Sequence, residues 1–276
     1  MNCRSLLLQK LQGLKLPQDP LVVAHVRLKD LVHPAELGDA DQGIDYAALS
    51  LELIAALDEL YSPLGILVPA FTYSFTKTGI YDRAHTPSEV GRFGEEIRLA
   101  FPPAQRTMNP VFSVIDCHSI LKSDELSEDT AFGRHSLWNH LNEIGHICVN
   151  VNLQVPLIST HLHFLEARQQ VPYRYPKTFQ GRVSTDGSDW TEMSYEYYVR
   201  DLDRDTRWRR GKIASFLKSH DVLHDHSRGD ILLRWFDSIQ MAPVLEAALR
   251  KDPEFFVSDR SSPVITEQEI NGINEK

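Results

Sequence analysis

Hydrophobic and polar positions along this chain follow two periods, which predict alternating strands and helices. Short uninterrupted apolar runs predict strands that are buried on both faces. Segments in which apolar residues recur every third or fourth position predict helices with one buried side. The predicted strands are residues 21–26, 65–69, 111–117 and 147–151, and the predicted helices are residues 46–61, 91–101 and 136–144, with another helix that starts at Thr160.

The pattern changes after residue 171. Two segments, 173–183 and 192–200, predict antiparallel strands joined by turn-forming residues at 185–189. Further helices are predicted near 206–219 and 237–250. Because strands and helices alternate, we expect an α/β fold: one domain with a mixed central sheet flanked by helices, followed by the antiparallel strand section after residue 171.

The two ends of the chain differ in pattern. Leu6, Leu7, Leu11 and Leu14 have the spacing of an amphipathic opening helix. Polar residues interrupt this stretch and no small-residue cleavage site follows, so a signal peptide is not expected. No long linker divides the chain. We therefore expect a single domain over residues 1–266 and a polar, frayed tail over residues 267–276.

Composition narrows the class of protein. The chain has 276 residues, of which 42% are hydrophobic and 24% charged, an ordinary globular mixture without an apolar run of membrane-spanning length. The three cysteines, Cys3, Cys117 and Cys148, are odd in number and widely spaced, which argues against a disulfide framework and favours a cytoplasmic location. The net charge of −9 disfavours nucleic-acid binding and suits a cationic substrate.

The segment 159–166 carries the most informative chemistry. Its Thr160, His163 and Glu166 are three residues apart, so a helix would place them on one side. Ser159 or Thr160 would cap that helix, and the positive end of the helix dipole would disfavour a second proton on His163. A neutral imidazole suits a general base, and Glu166 could orient it or bind an incoming ammonium. A histidine that merely caps the helix or packs in the core is the alternative.

Two loops are candidates for ligand binding. Thr72, Tyr73 and Ser74 follow a predicted strand, where open α/β sheets hold their ligands, although a simple loop would look the same. Residues 85–91 precede a predicted helix whose free N–H groups could bind phosphate, but no P-loop sequence is present. Ser113 could bond a ligand or only satisfy backbone groups.

Two other classes of function remain open from the residues. A metal site could use the pair His161 and His163 with Glu166, or the histidines at 220, 224 and 226, of which the first two would share a helix face. A basic, aromatic patch at Arg207–Arg210 could bind nucleic acid or phosphate. A solvated helix face that balances nearby aspartates explains the patch equally well.

Seven short motifs occur in the order in which one family carries them. The chain resembles the aminoglycoside 3-N-acetyltransferase (antibiotic N-acetyltransferase) family over about residues 20–200. The motifs are Val23-Ala-His25, Val68-Pro-Ala-Phe-Thr-Tyr-Ser74, Thr86-Pro-Ser-Glu-Val-Gly91, Asn109-Pro-Val-Phe-Ser113, Phe132-Gly-Arg-His-Ser136, Thr160-His-Leu-His163 with Glu166, and Val171-Pro-Tyr-Arg-Tyr175.

The resemblance implies an acetyl-CoA-dependent N-acetyltransferase that needs no metal. By position, His163 resembles the family's catalytic histidine and Glu166 the acidic residue that follows it. The implied coenzyme-binding residues are His25, Arg27, Ser88, Val90, Gly91, Ser113 and Thr160. The implied acceptor-binding residues are Thr72, Tyr73, Ser74 and Glu166.

Several positions depart from the family pattern. Asn109 stands where the family commonly has histidine, Val26 where it has serine, and His161 where an apolar residue is common. The resemblance implies as acceptor an amine of an amino sugar, nucleotide-linked or otherwise part of surface polysaccharide assembly. The alternative acceptor is an aminoglycoside antibiotic. A homodimer is expected, without a nucleic-acid or membrane partner.

Overall fold

The computed structural model describes residues 2–13, 16, 19–37, 43–122, 126, 129–229 and 231–274. The strands in these ranges are β1 (Leu21–Val26), β2 (Gly65–Pro69), β3 (Ile80–Asp82), β4 (Val114–Asp116), β5 (Ile147–Val151), β6 (Arg174–Ser184), β7 (Trp190–Arg200), β8 (His224–Arg228) and β9 (Ile231–Asp237). The helices are α1 (Cys3–Leu11), α2 (Tyr46–Tyr61), α3 (Phe75–Thr78), α4 (Arg92–Ala100), α5 (Leu137–Ile144), α6 (His161–Arg168), α7 (Arg210–Ser219), α8 (Ser238–Lys251) and α9 (Glu267–Asn274). Leu14, assigned above to the opening helix, lies outside the described residues.

A six-stranded mixed sheet forms the centre of the protein, as predicted. Its order is β4-β2-β1-β5-β9-β8. Strand β1 runs parallel to β2 and β5, so that Val23 pairs with both Leu67 and Cys148. The other strands are antiparallel to their neighbours. The parallel strands are apolar except for His25 of β1 and Asn150 of β5, because helices cover both faces.

Alternation along β1 divides the core into two layers. Val22 and Ala24 pack with α1, α2 and α4 on one face, whereas Leu21 and Val23 pack with α5 to α8 on the other. Both layers are apolar, and their burial is the main source of stability. A smaller sheet, β3-β6-β7, contains the predicted antiparallel pair and covers a third cluster that includes Tyr195 and Tyr197.

The segment after α7 differs from the prediction. Residues 224–228, where the metal-site alternative above requires His224 to lie on a helix, form the edge strand β8, and β9 follows it. Pairing across this hairpin joins His224 with Trp235 and Arg228 with Ile231. Among the described strands, β8 is the last of the sheet, and polar side chains are common on such edge strands. A prediction of strands from apolar runs therefore misses β8.

Two further segments correct the predicted boundaries. Strand β4 begins at Val114 instead of residue 111, because Asn109 Oδ1 accepts a hydrogen bond from the Phe112 amide (3.1 Å) and turns the chain. At the other end, residues assigned to a frayed tail form α9. Thr266 and Glu269 cap this helix reciprocally, and Lys251 of α8 binds Glu269 (2.7 Å). Residues 275–276 of the predicted tail lie outside the described residues.

No helix within the described ranges combines the length and the apolar character needed to span a bilayer.

Candidate active site

A cleft of about 310 Å³ opens where the parallel strands end. Its walls come from the last residues of β1 and β2, the start of α4, the segment before α6 and the segment before α7. It is lined by Ala24, His25, Val26, Val68, Pro69, Phe71, Tyr73, Val90, Phe93, Gly94, Leu153, Ile158, Ser159, Thr160, His163, Trp208 and Arg210. The carboxyl edge of a parallel sheet is the usual place for a ligand because the strand-to-helix loops converge there.

The first turn of α6 brings His163 to this cleft. Ser159 Oγ accepts a hydrogen bond from the His161 amide (3.1 Å), so Ser159 caps the helix. Thr160 makes no capping bond with its side chain, and it lines the cleft next to His163. His163 therefore lies on the first turn, where the exposed N–H groups of the helix disfavour a charged imidazole.

His163 and Glu166 form a hydrogen-bonded pair one turn apart. The distance from His163 Nδ1 to Glu166 Oε2 is 2.9 Å. Glu166 has no exposed side-chain surface, whereas the His163 side chain is 28% exposed. A carboxylate can only accept, so we assign the neutral-ring proton to Nδ1, which leaves the lone pair of Nε2 for chemistry in the cleft.

Two hydrogen-bond donors and one guanidinium surround the Glu166 carboxylate. Besides His163, Trp208 donates its Nε1–H to Oε1 (2.7 Å) and Arg174 Nε lies 2.7 Å from Oε2. Burial by itself raises the pKa of Glu166, but the bond from His163 and the charge of Arg174 outweigh it and hold the pKa below its usual value. Glu166 is therefore ionised at neutral pH.

The surroundings of His163 keep its ring neutral. Burial, followed by the charge of Arg174, lowers the pKa of His163, and the bond to Glu166 opposes that shift only in part. The Trp208 ring covers one face of the imidazole, with centroids 4.3 Å apart, and Phe112 lies at 6.1 Å. A neutral imidazole with a fixed tautomer can accept a proton at pH 7.

Five of the predicted site residues line the cleft. They are His25, Tyr73, Val90, Thr160 and His163. His25 Nε2 is buried without a hydrogen-bond partner among the described residues. Burial, with a smaller effect of His146, lowers the pKa of His25 to about 4, so this ring is neutral too.

Thr72 and Ser113, which are predicted to bind ligand, do not line the cleft. Both are fully buried around Arg106, which is 1% exposed. Arg106 donates to Thr72 Oγ1 (3.0 Å), Ser113 Oγ (3.3 Å) and the carbonyl oxygen of Ala70 (2.6 Å). It also donates to the Thr86 carbonyl oxygen (2.6 Å). The hydroxyls thus satisfy a buried guanidinium that joins three of the sequence motifs.

Four other predicted residues lie outside the cleft lining; three of them make local contacts. Arg27 pairs with Asp30 (3.0 Å), the Ser88 amide donates to Glu95 Oε2 (2.7 Å), and the Ser74 amide donates to Glu89. Gly91 precedes α4 with φ +101° in open space. Glu166, which is predicted to orient His163 or to bind an incoming ammonium, has no accessible side-chain surface in this structure.

Sequence reasoning missed three side chains of the site: Arg174, Trp208 and Arg210. Arg174 lies in the seventh motif, but its direction toward Glu166 follows only from the pairing of β6 with β7. Trp208 and Arg210 belong to the segment interpreted as a basic patch. The structure divides that segment, because Arg207 pairs with Asp205, Arg209 pairs with Asp259, and Arg210 lines the cleft.

The predicted alternative of a metal site is not supported by the histidine positions. His161 is fully buried against His146 (5.1 Å between ring centroids), away from the cleft. His220 follows the end of α7 and His224 begins β8, so they do not share a helix. Among the described residues, no group of three or more His, Cys, Asp or Glu side chains is arranged to hold a metal ion.

Comparison with known proteins identifies the family. The family model for aminoglycoside 3-N-acetyltransferase (Antibiotic_NAT) matches residues 48–250. This chain belongs to that family. Membership makes the protein an N-acetyltransferase whose acetyl donor is acetyl-CoA. No curated protein sequence matches the chain.

Several solved structures share the fold. AAC-IIIb in binary complex with CoASH has a TM-score of 0.67 at 15% identity, covering 93% of this chain and 98% of that one. AAC-VIa bound to sisomicin has a TM-score of 0.63 at 17% identity, covering 88% and 97%. YokD from Bacillus subtilis has a TM-score of 0.65 at 14% identity, covering 88% and 91%. At these identities the likeness establishes the fold of the family.

Proposed function

We propose that this N-acetyltransferase acetylates a primary amine of an aminoglycoside or a similar polycationic amino sugar, with His163 as general base. One observation carries the residue assignment: His163 presents Nε2 to the cleft while buried Glu166 holds Nδ1 at 2.9 Å. An ammonium cannot attack an acyl carbon, so the enzyme has to remove a proton as the nitrogen approaches. A positioned histidine contributes about 10²–10⁴-fold to such a step.

The residues account for the proton balance of the transfer. Acetyl-CoA supplies an acetyl group that is already activated as a thioester. The acceptor ammonium first loses one proton to water. A carbon–nitrogen bond then forms and the carbon–sulfur bond breaks, while His163 Nε2 accepts the second proton from the attacking nitrogen and returns it to the departing sulfur, so that the amide, the CoA thiol and one released proton are the products. Ionised Glu166 stabilises the imidazolium between these two proton movements. No acyl-enzyme is required, and burial raises the pKa of the Cys148 thiol to about 12, which disfavours a thiolate nucleophile.

The cleft suits the coenzyme at both its apolar and its polar parts. Val68, Phe71 and Phe93 provide an apolar wall for a pantetheine arm. Arg210 is half-buried, and among the described residues no carboxylate lies within ion-pair distance of it. Its Nη1 donates to the Leu157 carbonyl oxygen (2.6 Å), which satisfies a hydrogen bond without neutralising the charge. A guanidinium in a cleft without a carboxylate partner among the described residues favours an anionic ligand group such as phosphate. The start of α4 lines the same cleft and adds the positive end of a helix dipole.

A second cavity supports a large cationic acceptor. It has a volume of about 750 Å³ and lies along the same side of α6, one turn beyond His163. Carboxylates of Glu143 and Glu196, the amide of Asn142 and the ring of Tyr198 line it. Arg168 lines it too, but its charge is paired with Glu246 (3.3 Å). Carboxylates and amides bind ammonium and hydroxyl groups, and an aromatic ring packs on a sugar face. The volume leaves room for rings beyond the acetylated one.

The comparisons favour the aminoglycoside, given above as the alternative acceptor, over a nucleotide-linked amino sugar. The family model carries the aminoglycoside activity in its description, and AAC-VIa was solved with sisomicin bound. Amino-sugar chemistry is common to both acceptors, so the catalytic argument holds for either.

A thiol-release assay tests the acceptor. Acetyl-CoA is incubated with the enzyme and panels of aminoglycosides, free amino sugars and nucleotide-linked amino sugars, and products are identified by mass spectrometry. We expect aminoglycoside-dependent thiol release with a mass gain of one acetyl group per amine. Release with nucleotide-linked amino sugars alone would overturn the aminoglycoside assignment. Thiol release that does not depend on any amine would mean that the enzyme hydrolyses acetyl-CoA instead of transferring its acetyl group.

A further inference from the structure

Trp208 touches both members of the His163–Glu166 pair with one side chain. Its Nε1–H donates to Glu166 Oε1 (2.7 Å), and its ring covers the imidazole of His163 at 4.3 Å with an interplanar angle of 35°. The residue precedes α7 and belongs to neither helix nor strand, so its place depends on its own contacts.

Those contacts hold Trp208 firmly. Its ring packs edge-on against Phe256, with centroids 6.1 Å apart, and the next residue donates its amide to the Phe256 carbonyl oxygen (2.6 Å). The Arg210 guanidinium lies 5.2 Å from the indole centroid on the cleft side. An aromatic ring with an occupied polar group and packed surroundings has little freedom to rotate.

The hydrogen bond from Trp208 to Glu166 affects the orientation of His163, the proposed proton acceptor. Glu166 Oε2 accepts a hydrogen bond from His163 and forms an ion pair with Arg174, and Oε1 accepts a hydrogen bond from Trp208. A carboxylate anchored at both oxygens cannot turn about its terminal bond, so Oε2 stays on His163 Nδ1. We propose that Trp208 is a positioning residue for the acetyl transfer: its N–H fixes the carboxylate of Glu166 and its ring face fixes the plane of His163. This inference rests on the function proposed above.

The charged groups around the pair set the direction of a pH effect. His163 faces Glu166 on its own helix, Arg174 on β6, and Arg210 at the start of α7. The phenols of Tyr173 and Tyr198 face Glu166, and burial together with that charge raises the pKa of both, so they stay neutral. Loss of the indole N–H would concentrate negative charge on the carboxylate beside His163. The pKa of His163 would then rise.

Trp208→Phe removes the N–H and keeps an aromatic ring, and Trp138→Phe is its matched control. Trp138 is 1% exposed, and its Nε1 has no partner among the described residues, so the control loses indole volume without a bond. We expect Trp208→Phe to lower kcat roughly ten- to hundred-fold and to shift the acid limb of the pH profile upward by about one unit. Trp138→Phe should keep the wild-type limb, with any loss confined to thermal stability.

Nitrogen-15 NMR of the histidine rings tests the same point without an acetylation assay. The His163 signals are assigned among the 12 histidines by their absence from His163→Gln. In wild-type protein we expect the proton on Nδ1, and the Trp208 indole signal should titrate together with His163. In Trp208→Phe the pKa of His163 should rise and the Nδ1 tautomer should be less populated.

The two readouts separate the failure of this inference from that of the proposed function. An unchanged His163 pKa and tautomer in Trp208→Phe, or an equal change in Trp138→Phe, would overturn the positioning role. Should Trp208→Phe fail to fold, a wild-type indole signal that does not respond to the His163 titration would do the same. If no acceptor is acetylated but the NMR changes occur as expected, the positioning role stands and the proposed acceptor is wrong.

Discussion

Glu166 is an ionised side chain with no exposed surface, and its partners explain why the site tolerates it. Isolated carboxylates are costly to bury, but two hydrogen-bond donors and the cationic Arg174 lie within 2.9 Å of this one. The same contacts leave Nε2 as the reactive nitrogen of His163. At the residue scale, the candidate site is thus the partly exposed imidazole of His163, which is held in position by the buried carboxylate of Glu166 and its partners.

Replacement of His163 tests the base. His163→Gln should lower kcat by about 10²–10⁴-fold and leave the dissociation constant of CoA within a few-fold, because glutamine cannot accept the amine proton. In wild-type enzyme, activity should fall as the pH drops through the pKa of His163, which lies below the ordinary value of 6.5. Steady-state kinetics from pH 5 to 8 measures both. The control is His33→Gln, which replaces an exposed histidine and should keep wild-type turnover. Wild-type turnover by a folded His163→Gln would show that His163 is not the base.

Arg210 offers a paired test of coenzyme binding. Arg210→Gln should raise the dissociation constant of CoA by about ten- to hundred-fold, because it removes a guanidinium from the cleft. Arg207→Gln changes the same kind of residue three positions earlier, where the side chain is 79% exposed and paired with Asp205. It should bind CoA as wild type does. Calorimetric titration of both variants with CoA measures the two dissociation constants. Equal CoA affinities in the two variants would mean that the CoA phosphates do not bind at Arg210.

At the element scale, close packing of α4 on the end of β2 shapes the cleft. Gly94 of α4 lies so near the strand that an added Cβ would stand 2.4 Å from the Pro69 carbonyl oxygen. The absence of a side chain lets the helix start beside the strand end, and Phe93 then contributes to the cleft wall. Arg106 joins neighbouring loops to the same strand end. In the motifs around residues 70, 86 and 113, the groups that contact Arg106 therefore hold the loops in place, while neighbouring residues of the first two motifs line the cleft.

Two glycine-to-alanine substitutions separate the effect of close packing on stability from the effect of helix propensity. Gly94→Ala should lower the free energy of unfolding by about 1–3 kcal/mol and weaken CoA binding, because α4 must move away from β2. Gly211→Ala in α7 adds a methyl group to open space and should raise stability by up to about 1 kcal/mol. Urea unfolding and CoA titration check both. A fully stable Gly94→Ala would mean that the helix can shift without cost.

At the scale of the whole molecule, neutral histidines lie between the central sheet and its helices. His161 is completely buried, with no hydrogen-bond partner for either ring nitrogen among the described residues. Burial lowers its pKa far below the ordinary value, and it lowers the pKa of His146 to about 4. These groups must gain a charge when the protein unfolds in acid. The homodimer predicted from the sequence stays a prediction at this scale.

Acid should therefore destabilise the protein well above the pKa values of its carboxylates. A histidine with a lowered folded-state pKa binds its proton only in the unfolded chain as the pH falls from about 6.5 toward about 4. Stability is then full above pH 6.5 and declines below it by up to about 1.4 kcal/mol per pH unit for each such histidine.

His161→Phe isolates one contribution to this decline. It should reduce the slope of unfolding free energy against pH between 7 and 5, because phenylalanine cannot take up a proton in the unfolded chain. His33→Gln should keep the wild-type slope, since His33 is exposed. Urea unfolding at several pH values provides the measurement, and an unchanged slope in His161→Phe would contradict the assignment.

The sequence by itself determined the apolar strands, most helix boundaries, the family and the candidate pair His163 and Glu166. These follow from local periodicity and from residues within one helical turn, which need no knowledge of distant contacts. It could not determine the polar strand β8, the enclosure of Glu166, or the contributions of Arg174, Trp208 and Arg210. The tertiary structure decided these because each depends on segments far apart in the chain. Local pattern shows which residues can carry a charge or a proton, and only packing shows which remain accessible to a ligand.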